Sequence, residues 1–326
     1  MPAYLEKLGL VSHTSGIEVR SAGNGNINWV RRAVAPEIGH SWVIKQARST
    51  LEAFPEYSAP VERIGFETRY FRLVSGFDDD GVCPRIEHFD SENSVLVLED
   101  LSDSHRMDHL IALNRDVSEA AAKIAGFLGR VHQGTSDGEL AGSFKNDEMR
   151  RLHGDHIFFL PYRDNDFPLS PAVAEIAASI RSDANLVSII DAAYRRYLQP
   201  KGALIHADVQ PTNILIGPGG PRLLDAEIAH IGDPAFDIGV LLAHLHLASI
   251  AGRPGCDVSS VWKKYANAFT KAEPPLFRDV ARYAGIEILR RTLGAARAPG
   301  VERDECAIRV LALGTRLIES PPDLTF

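Results

Sequence analysis

Short runs of β-branched and aromatic residues dominate the first hundred positions of the chain. Such runs cover residues 17–21, 27–34 and 41–46, and Gly, Asn and Pro interrupt them. Runs of this length, broken by turn-forming residues, predict short β-strands. A further apolar run at 95–98 predicts another strand, and the residues from about Val61 to Leu73 predict a helix. The N-terminal part should therefore form a small sheet with one helix.

Beyond Leu101 the apolar residues follow the period of an α-helix. Asp116 and Glu119 have the spacing of an N-terminal capping box. Apolar residues then recur three and four positions apart, at 117, 121, 124, 128 and 131, which predicts a helix buried on one face. Further helices are predicted at 171–182, 186–197, 238–250, 258–272 and 276–296. We therefore expect an α+β protein with a small β-rich lobe at 1–100 and a larger, mainly helical lobe at 101–326.

Composition and charge disfavour several classes of protein. The chain has 326 residues, 45% hydrophobic and 24% charged, which is ordinary for a globular protein with a sizeable core. Its formal net charge of −8 is unlike that of domains that bind nucleic acid. The sequence has no signal-like start and no apolar run approaching about 18 residues, so we expect a cytoplasmic protein without a membrane partner. The three cysteines are far apart, which suits reduced thiols.

One segment in the middle of the chain combines residues suited to phosphoryl transfer. His206, Asp208 and Asn213 have the spacing of the kinase catalytic loop. A carboxylate such as Asp208 can orient an attacking hydroxyl and accept its proton. Asn213, Asp225 and Glu227 supply oxygen ligands for Mg²⁺. The alternative is an ordinary hairpin whose Asp and Asn side chains cap its turns.

Apolar runs surround these polar residues. Residues 204–205 lead into the loop and 214–216 leave it. Residues 217–221 form a turn rich in Gly and Pro, and 223–224 lead to Asp225. This pattern predicts a hairpin that carries polar groups at both edges.

The segment resembles the catalytic core of the aminoglycoside phosphotransferase and choline kinase superfamily, relatives of the protein kinases. More narrowly, the chain resembles the 5-methylthioribose kinase family, whose Asp-x-Glu metal motif matches Asp225-Ala-Glu227. Further matches are 23–28, 43–47, 98–102, 159–163, 232–239 and 287–294. The resemblance implies a bilobal protein-kinase-like fold and an enzyme that uses ATP and Mg. It would transfer the γ-phosphoryl group to a hydroxyl of a pentose-like sugar, 5-methylthioribose or a related 5-deoxyribose derivative.

Two positions depart from that family. Ala207 stands where the family has Gly, and Asn213 stands where its loop carries a small polar residue. Asn is the choice of the broader superfamily, so the metal site is expected to be intact. The reaction type is therefore better defined than the acceptor.

Two other functions remain open at this stage, and so do the partners. The same fold could phosphorylate an aminoglycoside or another hydroxylated metabolite. A catalytically silent nucleotide-binding protein would usually lack a metal ligand or the catalytic Asp, and none is lost here. The expected partner is a small hydroxylated molecule and not a nucleic acid. The oligomeric state is open, with a homodimer among the options.

The nucleotide side of the predicted site begins in the N-terminal sheet. Gly23, Asn24 and Gly25 lie between two predicted strands, where backbone N–H groups can approach phosphate oxygens. Asn-Gly is also a common hairpin turn, which is the alternative. Lys45 lies in a strand context in which kinases place the lysine that contacts the α and β phosphates. The alternative for Lys45 is a solvated position on an edge strand.

The resemblance assigns three further residues to nucleotide binding. It implies Glu67 as the partner of Lys45, with Glu62 as the competing candidate on the same helix. The residues after the strand at 95–98 resemble the hinge between kinase lobes. Backbone groups near Glu99 and Leu101 would there hydrogen-bond the adenine edge. A plain strand end is the alternative.

On the acceptor side, the resemblance points to an arginine pair. Arg290 and Arg291 would reach the sugar pocket, where guanidinium groups can hold hydroxyls or phosphoryl charge. Successive helical residues point about 100° apart, so one of the two is expected to face the site. Pairing with Glu287 on a solvated helix face is the alternative. Asp237 is expected to support the catalytic loop, and His206 to orient it.

Overall fold

The computed structural model describes most of the chain. The described residues are 1–14, 16–22, 28–50, 59–138, 140, 142–253, 257–271 and 274–322. The predicted phosphate-binding turn of Gly23, Asn24 and Gly25 lies outside these ranges. Within them, no helix combines the length and the apolar character needed to cross a membrane.

An antiparallel five-stranded sheet forms the N-terminal part of the molecule. Its strands are β1 Glu18–Ser21, β2 Asn28–Ala35, β3 His40–Ala47, β4 Ile86–Asp90 and β5 Val95–Glu99. They lie in the order β1-β2-β3-β5-β4. Two helices accompany the sheet, α1 Pro2–Lys7 and α2 Arg63–Val74. The predicted small sheet with a helix at about Val61 to Leu73 is confirmed.

The alternation of side chains along the central strands places Lys45. Successive residues of a strand point to opposite faces. Val97 packs with Leu5 of α1 on one face, whereas Leu96 packs with Ile64 of α2 on the other. Lys45 lies directly opposite Leu96 in the β3–β5 ladder. Directly opposite residues share a face, so Lys45 points toward α2.

The C-terminal part is mainly helical. Its helices are α3 Met107–Ala112, α4 Ser118–Thr135, α5 Asp147–Gly154, α6 Pro171–Ser182, α7 Ala184–Tyr197, α8 Ala235–Ile250, α9 Val258–Ala268, α10 Pro274–Leu293 and α11 Asp304–Glu319. Helix α4 packs against α9, and α10 packs against both α8 and α11. Residues 121, 124, 128 and 131 of α4 are fully buried, which confirms the predicted apolar face. The predicted α+β fold class is also confirmed.

Short strands between the helices carry the predicted catalytic segment. They are β6 His105–Arg106, β7 Ala203–Ile205, β8 Ile214–Gly217, β9 Gly220–Leu223 and β10 His230–Gly232. Strand β7 pairs with β10, and β8 pairs with β6 and β9. The predicted hairpin is therefore β8 and β9, with the catalytic loop before it and Asp225 after it.

Side-chain caps explain where the predicted boundaries succeed and fail. Ser170 Oγ caps α6 and Pro171 occupies its first position, both favoured at helix starts, and the helix has its predicted bounds. The predicted capping box of Asp116 and Glu119 is wrong. Asp116 Oδ1 accepts a hydrogen bond from the Ser118 N–H at 2.8 Å, and α4 begins at Ser118 without a side-chain cap. Asp116 closes a local turn before the helix.

The sequence prediction also omitted several elements. It left out β4, β6 and β10, and the helices α1, α3, α5 and α11. Most of these are short, so few positions display a period. Helix α11 is the exception, since its apolar residues follow a clear helical spacing and pack on α10.

Candidate active site

Two side-chain amides hold the carboxylate of Asp208 in the loop after β7. Gln210 Nε2 lies 2.9 and 3.1 Å from its two oxygens. Asn213 Nδ2 lies 2.6 Å from Asp208 Oδ2 and 3.0 Å from the Asp208 carbonyl oxygen. Because the Asn213 nitrogen makes both contacts, its side-chain oxygen is left for another partner, such as a metal ion.

The surroundings of Asp208 suit a proton acceptor. Burial raises the pKa of Asp208 to about 6, and the nearby charges of Arg291 and Arg290 oppose that rise. The carboxylate is therefore ionised at neutral pH but more basic than an exposed one. A general base acts best when its pKa lies near the working pH.

The Asp237 side chain holds the backbone of this loop directly after the end of β7. Its Oδ2 and Oδ1 accept hydrogen bonds from the N–H groups of His206 and Ala207, each at 2.8 Å. His132 Nε2 lies 3.2 Å from Asp237 Oδ2. Burial would raise the pKa of Asp237, but the hydrogen bond from His132 and further donors lower it overall. An ionised, fully buried carboxylate thus fixes two consecutive peptide groups, which matches the predicted supporting role.

The His206 side chain is neutral and makes its contacts within and beside the catalytic loop. Its Nδ1 accepts a hydrogen bond from the Asp208 N–H at 3.2 Å, and its ring packs edge-on against Tyr70 at 5.3 Å between centroids. Burial lowers the pKa of His206 to about 4. The imidazole is therefore uncharged at neutral pH, and its ring nitrogen helps to shape the loop.

Lys45 connects the sheet to the segment after β9. Its Nζ lies 2.8 and 2.9 Å from the two carboxylate oxygens of Glu67 on α2, and it also donates to Asp225 Oδ1. Glu67, and not Glu62, is therefore the partner of Lys45. Burial would raise the pKa of Asp225, but Lys45 outweighs burial and lowers it. Asp225 thus stays ionised well below neutral pH.

Glu227 is held by two groups of the N-terminal part. Its Oε2 accepts hydrogen bonds from Asn28 Nδ2 at 3.0 Å and from Arg63 Nε at 3.1 Å. The backbone just before Asp225 is also tied to the catalytic loop, because the Leu224 N–H donates to the Asn213 carbonyl oxygen at 2.8 Å. Glu227 and the backbone that leads to Asp225 are thereby tied to the N-terminal sheet and to the catalytic loop.

The donor set of this region fits a hard divalent cation. Mg²⁺ prefers carboxylate and amide oxygens, which Asp225, Glu227 and Asn213 provide. Asp225 Oδ2 and Glu227 Oε1 accept no hydrogen bond from the described residues. In the same part of the chain, no three His, Cys, Asp or Glu side chains form a ready-made metal cluster. The predicted set contains two such side chains, Asp225 and Glu227, and its third member, Asn213, is an amide.

Two backbone groups of the predicted adenine hinge already have hydrogen-bond partners. The Glu99 N–H donates to the Arg85 carbonyl oxygen at 3.0 Å, and the Leu101 carbonyl oxygen accepts from Ser104 N–H at 3.0 Å. The Leu101 N–H has no hydrogen-bond partner among the residues that the structure describes. Of these three groups, the Leu101 N–H is the one suited to a nucleobase.

The two arginines of α10 share one buried carboxylate. Arg291 Nε lies 2.7 Å from Glu287 Oε1, and Arg290 Nε lies 3.3 Å from Oε2. Arg291 also donates to Gln210 Oε1, so Arg291 reaches the catalytic loop. Burial opposes ionisation of Glu287, but Arg290 and Arg291 hold its pKa well below its ordinary value. The helix therefore does not present a solvated charge pair, since all three side chains are buried.

Sequence reasoning missed residues that contact the site, among them Gln210, Arg63 and Asn28. Gln210 lies between the predicted base and Asn213, and its polar side chain inside the loop was a usable signal. Arg63 opens α2, where the helix dipole disfavours a positive charge. A cation at that position indicates a compensating acid, but the sequence does not show which acid.

Comparisons with known proteins agree with this geometry. The model of the family described as "Phosphotransferase enzyme family" matches residues 17–255. A methylthioribose kinase of Yersinia pseudotuberculosis is 28% identical, over 98% of this chain and 91% of the relative. A methylthioribose kinase of Citrobacter koseri is 26% identical, over 95% of this chain and 90% of the relative.

Solved structures share the fold. A choline kinase of Cryptosporidium parvum has a TM-score of 0.59 and 13% identity, covering 97% of this chain and 94% of that one. An amicoumacin kinase, in complex with AMP-PNP and Ca²⁺, has a TM-score of 0.56 and 13% identity, covering 99% and 95%. The predicted bilobal protein-kinase-like fold is confirmed. Because the family model matches residues 17–255, which is most of this chain, the chain belongs to the phosphotransferase enzyme family.

Proposed function

We propose that this phosphotransferase is a Mg-dependent kinase that transfers the γ-phosphoryl group of ATP to a hydroxyl of a pentose-like sugar, 5-methylthioribose or a related 5-deoxyribose derivative. The single observation that carries the proposal is the carboxylate of Asp208. It is ionised at neutral pH with a pKa near 6, the amides of Gln210 and Asn213 hold it in place, and the nearby arginines favour its charged form. The choice of sugar as acceptor is based on the methylthioribose kinases that match nearly the whole chain.

Each side chain has one role in the proposed reaction. Asp208 orients the acceptor hydroxyl and takes its proton as the new oxygen–phosphorus bond forms and the bond from the γ-phosphorus to the departing ADP breaks. Lys45 positions the phosphates that are not transferred, and Glu67 holds Lys45 in place. When bound to Asp225, Glu227 and Asn213, Mg²⁺ would neutralise charge on the phosphate oxygens. Gly23, Asn24 and Gly25 would contact phosphates, and the backbone at Glu99 and Leu101 would contact adenine.

The charge on the acceptor side favours a sugar over an aminoglycoside. Arg290 and Arg291 are buried, and both act electrostatically on Asp208. Like charges brought together cost free energy, so a polycationic acceptor would be repelled. A neutral polyol can instead accept hydrogen bonds from guanidinium groups.

The assignment of lobes and partners belongs to the same proposal. Residues 1–100 would form the nucleotide-binding lobe, and residues 101–326 the catalytic and acceptor-binding lobe. A cytoplasmic location, the lack of a nucleic-acid partner and a homodimer stay predictions.

ADP release with a panel of acceptors tests the function. We expect Mg-dependent turnover with 5-methylthioribose or other 5-deoxyribose derivatives, and much less with aminoglycosides. Turnover only with aminoglycosides or amino alcohols would replace the proposed substrate. ATP binding without turnover on any acceptor would indicate a silent nucleotide-binding protein.

A further inference from the structure

An arginine at the start of α2 is buried beside Glu227. Arg63 is fully buried, and its Nε and Nη2 donate to Glu227 Oε2 at 3.1 Å and to Asn28 Oδ1 at 2.8 Å. Its Nη1 donates to the carbonyl oxygens of Arg48 and Pro60, both at 2.9 Å. A buried guanidinium is tolerated only where its charge and its N–H groups are paired. These contacts therefore fix both Arg63 and the group that neutralises it.

Asn28 provides a second link between Arg63 and Glu227. Its Nδ2 donates to Glu227 Oε2 at 3.0 Å, while its Oδ1 accepts from Arg63. Glu227 Oε2 thus accepts two hydrogen bonds, whereas Oε1 accepts none from the described residues. The carboxylate cannot rotate without breaking both bonds, so one oxygen is held and the other is left for a ligand.

We propose that Arg63, supported by Asn28, is a positioning residue that fixes Glu227 so that its remaining oxygen can bind the divalent cation. The inference rests on the proposed function, in which Glu227 is a metal ligand. Side chains that hydrogen-bond a metal-binding carboxylate orient it, and losing one typically costs about 10–100-fold in metal affinity.

Helix α2 is linked to both acids of the Asp225-Ala-Glu227 segment, directly to Glu227 and through Lys45 to Asp225. Arg63 and Glu67 are four residues apart and so lie on the same helix face. Arg63 binds Glu227 directly, and Glu67 binds Lys45, which binds Asp225. The position of this one helix therefore sets the position of both carboxylates.

Replacement of Arg63 by lysine tests the inference directly. Arg63→Lys keeps the charge, but a single ammonium group cannot bridge Glu227, Asn28 and two carbonyl oxygens as the planar guanidinium does. Binding of Mn²⁺ in the presence of AMP-PNP is measured by electron paramagnetic resonance of the free ion. We expect the Kd for Mn²⁺ to rise about tenfold or more. The matched control is Arg72→Lys, an exposed arginine in the last turn of α2, which should leave Mn²⁺ binding unchanged.

A double-mutant cycle with Glu227 shows whether Arg63 acts through Glu227 or only supports the fold in general. In a Glu227→Gln background, adding Arg63→Lys should cause no further loss of Mn²⁺ binding. An equal further loss overturns the proposal, as does a folded Arg63→Lys protein that binds Mn²⁺ as tightly as the unchanged chain. If Arg63→Lys does not fold, Asn28→Ala removes the other bond to the same oxygen, and unchanged Mn²⁺ binding then overturns the proposal.

The variant Asp225→Ala distinguishes this inference from the proposed function. Loss of Mn²⁺ binding in Asp225→Ala together with none in Arg63→Lys would overturn only the role of Arg63. Mn²⁺ binding that survives Asp225→Ala would overturn the metal site itself.

Discussion

The two acids on either side of the β8–β9 hairpin are held by different chemical groups. Neutral amides of Gln210 and Asn213 bind Asp208, and burial raises its pKa to about 6. A cation, Lys45, binds Asp225 and lowers its pKa despite burial. One fold thus keeps one carboxylate basic enough to accept a proton and the other ionised at all pH values near neutrality.

The difference supports the separate tasks proposed for the two acids. Environments that separate the pKa values of neighbouring acids are typical of sites with one proton-transfer group and one electrostatic group. A metal ligand must be deprotonated, which Asp225 is. A base must be able to hold a proton, which Asp208 can do more readily than an exposed aspartate.

The largest effect should follow from removing the basic acid while keeping its shape. Asp208→Asn cannot accept a proton, so we expect kcat to fall by about 10²–10⁴-fold, the range for a general base. The affinity for Mg-nucleotide, measured by calorimetry, should change little. Asp164→Asn, at an exposed position, is the matched control and should keep full activity. Near-normal turnover in Asp208→Asn would mean that Asp208 is not the base.

Removing the charge of Asp225 should mainly weaken binding of the metal–nucleotide complex. Asp225→Asn keeps the size of the side chain but loses the charge that faces Lys45 and the metal. We expect the affinity for the metal–nucleotide complex to fall by at least about tenfold, the lower limit for loss of a group next to a metal, and kcat to fall with it. Calorimetric titration with AMP-PNP, with and without Mg²⁺, measures this change. If Asp225→Asn bound AMP-PNP in the presence of Mg²⁺ as tightly as the unchanged protein does, the contrast between the two acids would be lost.

A smaller effect should come from the amide that joins Asp208 to Arg291. In the unchanged protein we expect kcat/KM to rise with pH through about 6, because Asp208 is ionised above its pKa. Hydrogen bonds from Gln210 favour the charged form, so Gln210→Leu should raise the pKa of Asp208 and move this acidic limb to higher pH. The loss of one or two such bonds, about 1 kcal/mol each, predicts a decrease of about tenfold in kcat/KM on the acidic limb, below pH about 6, and a smaller decrease at neutral pH.

Gln199→Leu provides the control for this substitution. Gln199 is exposed after α7, and its replacement should leave the pH profile unchanged. An acidic limb that stays at the same pH in Gln210→Leu would show that Gln210 does not tune Asp208.

The sequence predicted those parts of the site that are close together along the chain or fixed by a motif. The spacing of His206, Asp208 and Asn213 placed the catalytic loop, and the strand context of Lys45 indicated a lysine that contacts phosphate. The contact of Arg291 with Gln210 joins residues 81 positions apart, and depends on how α10 packs. The contact of Arg63 with Glu227 spans 164 positions. No local pattern encodes such pairings, because they arise only when the helices dock.

The smallest expected effect concerns backbone strain, which the two acid segments share. Ala207 and Asp225 have φ angles of 68° and 63°, a left-handed conformation that costs a residue with a Cβ about 1–2 kcal/mol. Gly avoids this cost, so Ala207→Gly should be nearly neutral for stability despite the loss of a buried methyl group and the greater freedom of the unfolded chain. Ala203→Gly, at a fully buried position in β7, loses the same methyl group without relief of strain. Thermal unfolding should therefore show Ala203→Gly to be less stable than Ala207→Gly by about 1–2 kcal/mol. Equal destabilisation would show that the loop stores no strain at Ala207, and that its alanine is as well accommodated as the glycine of the resembling family.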